Sequence, residues 1–299
     1  MSNILTVEKR LGKGKNSRCF LVKSGSKNYC LKVCSVKDKS NKKEIQNEIN
    51  ILLLLKEHQN IISLEEHFLK TGKEKKYFGL VFELMQMNLH DFMKLSKNGC
   101  IDEMNCKVIF KQIMSAINFC HFKLITHQDL KLENICINPD TLEIKIIDFG
   151  YATISKNEKE ILSIKTCKGT PFYSSPEKFK RKKMDGRKSD IWSLGKKKKK
   201  KINSLFQKKK KKKLGVLLYK LVSGQFPFGN VCTNWSDLIN SICNDEVEYL
   251  DNCSPALNDL ICNMLEKNPS SRPGAIYCLQ HSWFTQWNVL KKKRNSASI

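Results

Sequence analysis

The sequence lacks any apolar run long enough to span a bilayer. Its densest run, Ile49 to Leu55, is far shorter than the roughly 20 residues of a membrane helix. The first ten residues, Met1 to Arg10, also lack the charged start and long apolar stretch of a secretory signal. We therefore expect a soluble protein that has no membrane partner.

The sequence also lacks the cysteine and histidine spacing of a metal or disulfide scaffold. Its 13 cysteines are odd in number and scattered, with no Cys-X-X-Cys pair. No histidine spacing suits a tetrahedral metal site, so we expect neither structural zinc nor a disulfide framework. Free thiols indicate a reducing compartment, for which we expect the cytoplasm, with the nucleus as the alternative.

Acidic residues are scarce relative to basic ones. The chain of 299 residues carries 29 Asp and Glu against 54 Lys and Arg, a formal charge of +25. Such a charge favours nucleic acid or an acidic membrane surface as a partner. However, nearly half of it comes from two lysine runs, Lys196 to Lys201 and Lys208 to Lys213. These runs have no interleaved aromatic residues, so we expect only nonspecific, salt-sensitive binding and no specific nucleic-acid partner.

Hydrophobic periodicity divides the chain into two parts. The first part shows short strands broken by Gly, Ser, Asn and Lys, with one helix over Lys42 to Leu55. From Asp102 onward, apolar residues recur every three or four positions, which predicts a long helix followed by further helices. We predict an α+β fold with a β-rich lobe and a helical lobe. The predicted segments are an N-lobe over 1–82, a hinge over 83–87, a C-lobe over 88–285 and a basic tail over 286–299.

A short glycine motif, Gly12-Lys13-Gly14, falls between the first two predicted strands. Glycines let backbone N–H groups approach phosphate oxygens, but an isolated pair is more often a hairpin turn. No Gly-Lys-Ser/Thr opens a helix anywhere in the chain, which excludes a P-loop fold.

The order of the remaining motifs favours the phosphate interpretation. Lys32 lies on the third strand and Glu48 on the helix after it, followed by His127 to Asn134, Asp148-Phe149-Gly150 and Ser175-Pro176-Glu177. This series resembles the catalytic domain of eukaryotic-type Ser/Thr protein kinases over nearly the whole chain. The resemblance implies a bilobal protein-kinase-like fold, ATP and magnesium as cofactors, and protein substrates with Ser/Thr acceptors. The closing residues, His281 to Phe284, resemble the calcium/calmodulin-dependent kinase group.

The resemblance also implies a role for individual residues. Phosphoryl transfer requires ATP to be positioned, its charge to be neutralised and an attacking hydroxyl to be aligned. The catalytic set is Asp129 as the base, Lys131 beside the transferring phosphate, and Lys32 paired with Glu48. The nucleotide set is Gly12, Gly14, Ser17, Cys30, Lys32, Glu83, Met85, Asn134 and Asp148. Asn134 and Asp148 offer the hard oxygen ligands that suit magnesium.

Other matching positions concern stability or regulation. Glu177 and Arg272 match a buried ion pair, and Asp190 begins the central helix of the C-lobe. Gln128 stands where most regulated kinases carry an arginine that grips a phosphate on the activation loop. Thr166 is the candidate phosphosite on that loop, and we predict that its phosphorylation activates weakly or not at all. Lys168 is an alternative source of positive charge there.

The Lys-rich insertion, 196–215, interrupts the predicted central helix between Gly195 and Val216. Three interpretations compete: a loop that bulges into solvent, a nuclear-localisation or nucleic-acid patch, and translated A-rich noncoding sequence. The third is favoured because a functional loop is expected between elements and not inside a core helix. The interruption also permits an alternative function, a pseudokinase scaffold with impaired catalysis. No pattern indicates an oligomeric state.

Overall fold

The fold is seen in a computed structural model, which describes residues 5–14, 17–72, 76–96, 98–157, 162–163, 170–180, 183–194, 216–228, 234–245 and 249–285. Four predicted features lie outside these residues: the phosphosite Thr166, the alternative cation Lys168, the insertion 196–215 and the basic tail 286–299. The described part confirms the α+β, bilobal prediction, with a β-sheet lobe before the hinge and a mainly helical lobe after it.

A five-stranded antiparallel sheet forms the first lobe, in the order β1-β2-β3-β5-β4. Gly25, at φ +57°, makes the turn between β2 and β3, because a residue without a Cβ adopts positive φ at no steric cost. On the neighbouring pair, Phe68 of β4 lies over Gly79 of β5, where a Cβ would meet the ring at 2.3 Å. The strands are β1 (Thr6–Lys13), β2 (Ser17–Ser24), β3 (Lys27–Val36), β4 (Leu64–Thr71) and β5 (Lys76–Glu83).

The glycine motif lies differently from its prediction. Gly12 and Lys13 belong to β1, where Gly12 pairs with Cys19 and Lys13 with Arg18 of β2. The strand therefore continues into the glycine motif that was predicted to follow it, through an irregularity between Arg10 and Gly12. The backbone N–H of Gly14 then donates to the carbonyl of Ser17 at 2.9 Å. Cross-strand hydrogen bonds thus extend the hairpin to its tip.

The one helix among the described residues of the first lobe, α1 (Lys39–Leu55), packs against β3 and β4. It begins three residues before the predicted start, because the side chain of Asp38 caps it by accepting from the N–H of Asn41. Its buried face carries apolar residues and one carboxylate, Glu48, which is 4% exposed. A buried carboxylate requires a partner, and this one lies beside the site.

The second lobe is built around α3 (Glu103–Phe122), whose start at the cap Asp102 agrees with the prediction. Ile109, Phe110, Ile113 and Ile117 on this helix are fully buried in a core that continues into the first lobe. The other helices are α2 (Leu89–Lys94), α4 (Pro176–Phe179), α5 (Gly186–Leu194), α6 (Val216–Ser223), α7 (Trp235–Asn244), α8 (Pro255–Met264), α9 (Ala275–Leu279) and α10 (Ser282–Thr285). None of the helices described here is both long and apolar enough to cross a membrane.

Short strands hold the loops of the second lobe in place. They are β6 (Met87–Asn88), β7 (Ile125–Thr126), β8 (Ile135–Ile137), β9 (Ile144–Ile146), β10 (Thr153–Ile154), β11 (Leu162–Ser163) and β12 (Lys183–Met184). β6, β8 and β9 form one small sheet, and β7 pairs with β10. The residues between β7 and β8, and those directly after β9, are therefore fixed at both ends.

The predicted central helix is observed as two helices, α5 and α6, which contact each other. Leu194 at the end of α5 and Val216 at the start of α6 are both fully buried. The core on either side of the Lys-rich insertion is thus intact.

Candidate active site

A cavity of about 540 Å³ lies between the first-lobe sheet and the loops of the second lobe. All of the predicted nucleotide-binding residues line it, namely Gly12, Gly14, Ser17, Cys30, Lys32, Glu83, Met85, Asn134 and Asp148. Glu48 lines it as well, whereas Asp129 and Lys131 lie outside its lining. The structure therefore brings together residues that are more than 130 positions apart in sequence.

Lys32 connects two carboxylates at the back of the cavity. Its Nζ lies 2.6 Å from Glu48 Oε1 and 3.1 Å from Asp148 Oδ1. Burial alone would lower the pKa of Lys32, but the two carboxylates outweigh it and raise that pKa. Lys32 therefore carries its positive charge at neutral pH. Its third N–H has no hydrogen-bond partner among the described residues.

Asp148 follows β9 in an unusual backbone conformation. Its φ of +61° lies in the left-handed region that non-glycine residues rarely adopt. Burial alone would raise the pKa of its carboxyl, but Lys32 outweighs this, so the pKa lies below its ordinary value. The next residue, Phe149, is fully buried and meets the ring of His127 edge-on at 4.8 Å. This anchor holds the Asp148 carboxylate at the cavity.

The loop between β7 and β8 places Asp129 and Lys131 beside each other. Lys131 Nζ lies 2.6 Å from Asp129 Oδ2 and 3.2 Å from the hydroxyl of Thr170. The backbone N–H of Thr170 donates to Asp129 Oδ1 at 3.0 Å. Asn134 Nδ2 donates to the backbone carbonyl and the carboxylate of Asp129, at 2.9 and 3.2 Å. Both carboxylate oxygens of Asp129 are thus oriented.

The same loop is braced from below by Asp190, which lies in α5. Its Oδ2 accepts from the N–H of His127 at 2.9 Å and its Oδ1 from the N–H of Gln128 at 2.8 Å. Burial would raise the pKa of Asp190, but the hydrogen bond with His121 and these N–H groups outweigh it, so the pKa is lowered. Gln128 has a φ of +66°, and these hydrogen bonds stabilise this left-handed conformation.

His127 and Gln128 bond other residues of the fold. His127 is fully buried, its Nε2 lies 3.1 Å from the carbonyl of Ile147, and its Nδ1 accepts from the N–H of Asp129. Gln128 Nε2 donates to the hydroxyl of Thr153 at 2.7 Å. The Gln128 amide thus joins the loop between β7 and β8 to β10 through neutral groups.

Asn134 and Asp148 fit the magnesium role that the resemblance implies. Asn134 uses its Nδ2 on Asp129, which leaves its Oδ1 as the acceptor. Asp148 bonds Lys32 through Oδ1, which leaves its Oδ2. Amide and carboxylate oxygens are the ligands that magnesium prefers, and both residues line the cavity.

Sequence reasoning missed several residues of the site. Thr170 orients Asp129, and it was not among the predicted site residues. Leu11, Cys19, Cys136 and Ile147 also line the cavity. Cys19 could have been found from strand alternation, since it pairs with Lys32 across β2 and β3 and so shares its face.

Comparison with known proteins agrees with this geometry. A family model described as "Protein kinase domain" matches residues 5–198 and 213–284. It leaves unmatched the residues 199–212, which fall inside the Lys-rich insertion.

Individual relatives are similar over most of this chain. A protein kinase domain-containing protein of Schizosaccharomyces pombe, ppk9, is 33% identical over 83% of the chain and 41% of its own length. CBL-interacting protein kinase 26 of Oryza sativa is 32% identical over 85% of the chain and 46% of its own length. Sperm motility kinase 3A of Mus musculus is 32% identical over 79% of the chain and 40% of its own length. The chain thus spans about half the length, or less, of these curated relatives.

Proposed function

Since the chain belongs to the protein kinase domain family, we propose that it is a catalytically active member. It transfers the γ-phosphate of ATP to serine or threonine hydroxyls of protein substrates. Two hydrogen-bond networks carry this proposal. One is centred on Lys32, which lines the cavity, and the other on Asp129, which is bonded to the cavity residue Asn134. Each network holds its charged groups within hydrogen-bonding distance of their protein partners.

Lys32 is proposed to hold the α- and β-phosphates of ATP. Its position is fixed by Glu48 at 2.6 Å, and its third N–H is not used by a described protein group. A preorganised cation needs no rearrangement when phosphate charge develops, which is the main way in which a protein accelerates phosphoryl transfer. Glu48 is a positioning residue, since it acts through Lys32.

Asp129 is proposed to accept the proton of the attacking hydroxyl. Its carboxylate is oriented by Thr170 and Asn134, so the acceptor oxygen is held in a defined place. Lys131, 2.6 Å from that carboxylate, would bind the transferring phosphate once substrate enters. Magnesium, when bound by Asn134 and Asp148, supplies charge neutralisation on the phosphates.

A pseudokinase scaffold remains the second candidate, and one observation favours it. The segment 199–212, which the family model leaves unmatched, follows closely on α5, the helix that carries the loop brace Asp190. A displaced α5 would disorganise the catalytic loop and leave ATP binding intact.

The proposal is tested by ATP turnover on a generic basic protein, with the full chain and two matched variants. Asp148→Asn removes a charge from the site, whereas Asp140→Asn makes the same change at an exposed turn. We expect turnover to fall by about 100-fold or more in the first and to stay within twofold in the second. Equal activity of parent and Asp148→Asn would contradict the proposal. ATP binding by the parent without turnover would instead establish the scaffold.

A further inference from the structure

Lys178 is a lysine that the fold buries away from the nucleotide cavity. It belongs to α4 and is 3% exposed, and it is not among the described residues that line the cavity. Its Nζ donates at 2.8 Å to the backbone carbonyl of Gln128, in the loop between β7 and β8. Lysine side chains are almost never buried without a partner, because removing the amino group from water is costly. The fold therefore retains this bond to the loop against a cost of desolvation.

The bond acts on the peptide group that leads into Asp129. The carbonyl of Gln128 and the N–H of Asp129 belong to one planar peptide group. Lys178 binds the carbonyl, and the N–H donates to His127 Nδ1 at 3.3 Å. This peptide group is thus held at both of its polar ends, directly before the residue proposed as the base.

The backbone conformation of Gln128 requires support of this kind. Its φ of +66° lies in the left-handed region, and a residue with a Cβ keeps such a conformation only where the surrounding structure fixes it. On the N-terminal side, Asp190 Oδ1 accepts from the N–H of Gln128 at 2.8 Å. On the C-terminal side, Lys178 donates to its carbonyl at the same distance. The strained residue is therefore held on both sides.

The backbone of Lys178 is itself fixed by its neighbours in sequence. Glu177 bonds the buried guanidinium of Arg272 at 2.6 and 3.1 Å. The hydroxyl of Ser175, which precedes α4, lies 3.2 Å from that of Ser189 in α5. Two helices that are bonded to each other, α4 and α5, thus reach the loop from opposite ends of one residue.

We propose that Lys178 is a positioning residue for phosphoryl transfer: it holds the peptide between Gln128 and Asp129 against the strain at Gln128, and so keeps the Asp129 carboxylate aligned with the attacking hydroxyl. The inference rests on the proposed function and deepens it, since Lys178 acts through Asp129. A misplacement of about 1 Å can lower a rate by about 100-fold. A single backbone hydrogen bond at this point is therefore sufficient to affect turnover.

The kinetic test compares Lys178→Met with the parent in the full chain. Methionine fills a similar space and has no N–H to donate. We expect kcat per ATP-binding site to fall by about 10- to 100-fold, with the KM for ATP within twofold of the parent. Lys180→Met is the matched control, because Lys180 lies at the exposed end of the same helix, and both of its constants should stay within twofold. A parental kcat in Lys178→Met would overturn the proposal, as would a rise in the KM for ATP that matches the fall in kcat.

A second variant tests whether Lys178 opposes the strain at Gln128. Glycine adopts positive φ at no steric cost, so the loop of Gln128→Gly depends less on Lys178. We expect Lys178→Met to lower kcat in this background by a factor at least about threefold smaller than in the parent, since coupled sites are not additive. Equal factors in the two backgrounds would show that the residues act independently, which contradicts the proposal.

Hydrogen exchange tests the positioning without turnover. The N–H groups of Gln128 and Asp129 are bonded, so their exchange reports on opening of the loop. In Lys178→Met we expect peptides that cover 127–130 to exchange about tenfold faster, as for the loss of one hydrogen bond, whereas α3 should exchange as in the parent. Unchanged exchange in the loop, or an equal increase in α3, would overturn the proposal.

The two measurements separate this inference from the proposed function. If the parent phosphorylates the basic protein and Lys178→Met does so at the same rate, the proposed function stands and the role of Lys178 is wrong. If the parent shows no turnover, the proposed function is contradicted, and exchange alone decides whether Lys178 positions the loop.

Discussion

Two ion pairs of this protein have the same length and opposite surroundings. Lys32 Nζ and Glu48 Oε1 are 2.6 Å apart, as are Arg272 Nη1 and Glu177 Oε1. The side chain of Arg272 is 0% exposed, whereas that of Lys32 is 16% exposed and lines the cavity. Distance alone therefore does not distinguish a pair buried in the core from a pair that borders the cavity.

The number of unused donors does distinguish them. Arg272 donates to both oxygens of Glu177, to the carbonyl of Glu266 from Nε and Nη2, and to the carbonyl of Lys188. All five of its N–H groups are used, as a buried guanidinium requires. Lys32 uses two of its three N–H groups, on Glu48 and Asp148. A fully satisfied cation stabilises a fold, and one with a remaining donor that faces a cavity can bind a ligand.

The largest expected effect is on stability, from Glu177→Gln. This change leaves the guanidinium of Arg272 buried without its counter-charge, which typically costs about 3–5 kcal/mol. We expect a lower free energy of unfolding in denaturant titrations, with turnover per folded molecule near that of the parent. A loss of turnover in the fraction that remains folded would show that this pair also serves catalysis.

The next effect is on activity, from Lys32→Met. Removal of one preorganised donor for the phosphates should lower turnover by about 100- to 1000-fold. The loss of stability should be smaller than in Glu177→Gln, because the cavity admits water to Glu48. Turnover and denaturant midpoints measured on both variants complete the comparison. The contrast would collapse if Lys32→Met proved the less stable of the two.

An intermediate effect on the free energy of unfolding is expected from Asp190→Asn. The Asp190 carboxylate is buried and accepts hydrogen bonds from two backbone N–H groups. An amide has only one oxygen, so one of the N–H groups of His127 and Gln128 loses its acceptor, at a cost of about 1–3 kcal/mol. Because the folded pKa of Asp190 is lowered, its contribution is present in full above the unfolded value of about 3.9 and is lost as pH falls through the folded value. Unfolding free energies measured from pH 7 to pH 3 should therefore converge for parent and variant in acid. A gap that stays constant with pH would contradict this.

The smallest effect is expected from Lys94→Ala. Lys94 lies 2.8 Å from Asp91, but the two side chains are 61% and 51% exposed. Exposed pairs at this helical spacing contribute about 0.2–0.5 kcal/mol. We expect thermal denaturation of this variant to differ from that of the parent by about 1 °C. A drop comparable with that of Glu177→Gln would mean that exposure is not what separates these pairs.

Much of the fold and site could be predicted because the signals are local in sequence. The start of α3 at Asp102 and the apolar period of that helix are read within a few residues. The start of α1 was placed three residues too late, because the cap Asp38 was not recognised. The resemblance implied the pairs of Lys32 with Glu48 and of Glu177 with Arg272, and the atoms of each pair lie 2.6 Å apart.

What could not be predicted depends on how strands and loops meet. The extension of β1 through Gly12 follows from its register with β2, which no local pattern encodes. The bond between Thr170 and Asp129 joins residues 41 positions apart, and the position of Cys19 beside Lys32 in the cavity lining requires β2 and β3 to be aligned. Each of these needs the tertiary arrangement before its chemistry becomes visible.

Asp190 of α5 binds the loop between β7 and β8 through the N–H groups of His127 and Gln128. Turnover should therefore depend on the position of α5. Each residue advances a helix by about 1.5 Å, so a slip of α5 by one residue would move the carboxylate beyond hydrogen-bonding reach of His127 and Gln128. The Lys-rich insertion begins soon after Leu194, the last residue of that helix. A polypeptide that contains the extra residues and still phosphorylates must have kept α5 in register. Turnover measured on chains with and without residues 199–212 would therefore detect a shift of α5 by about 1.5 Å.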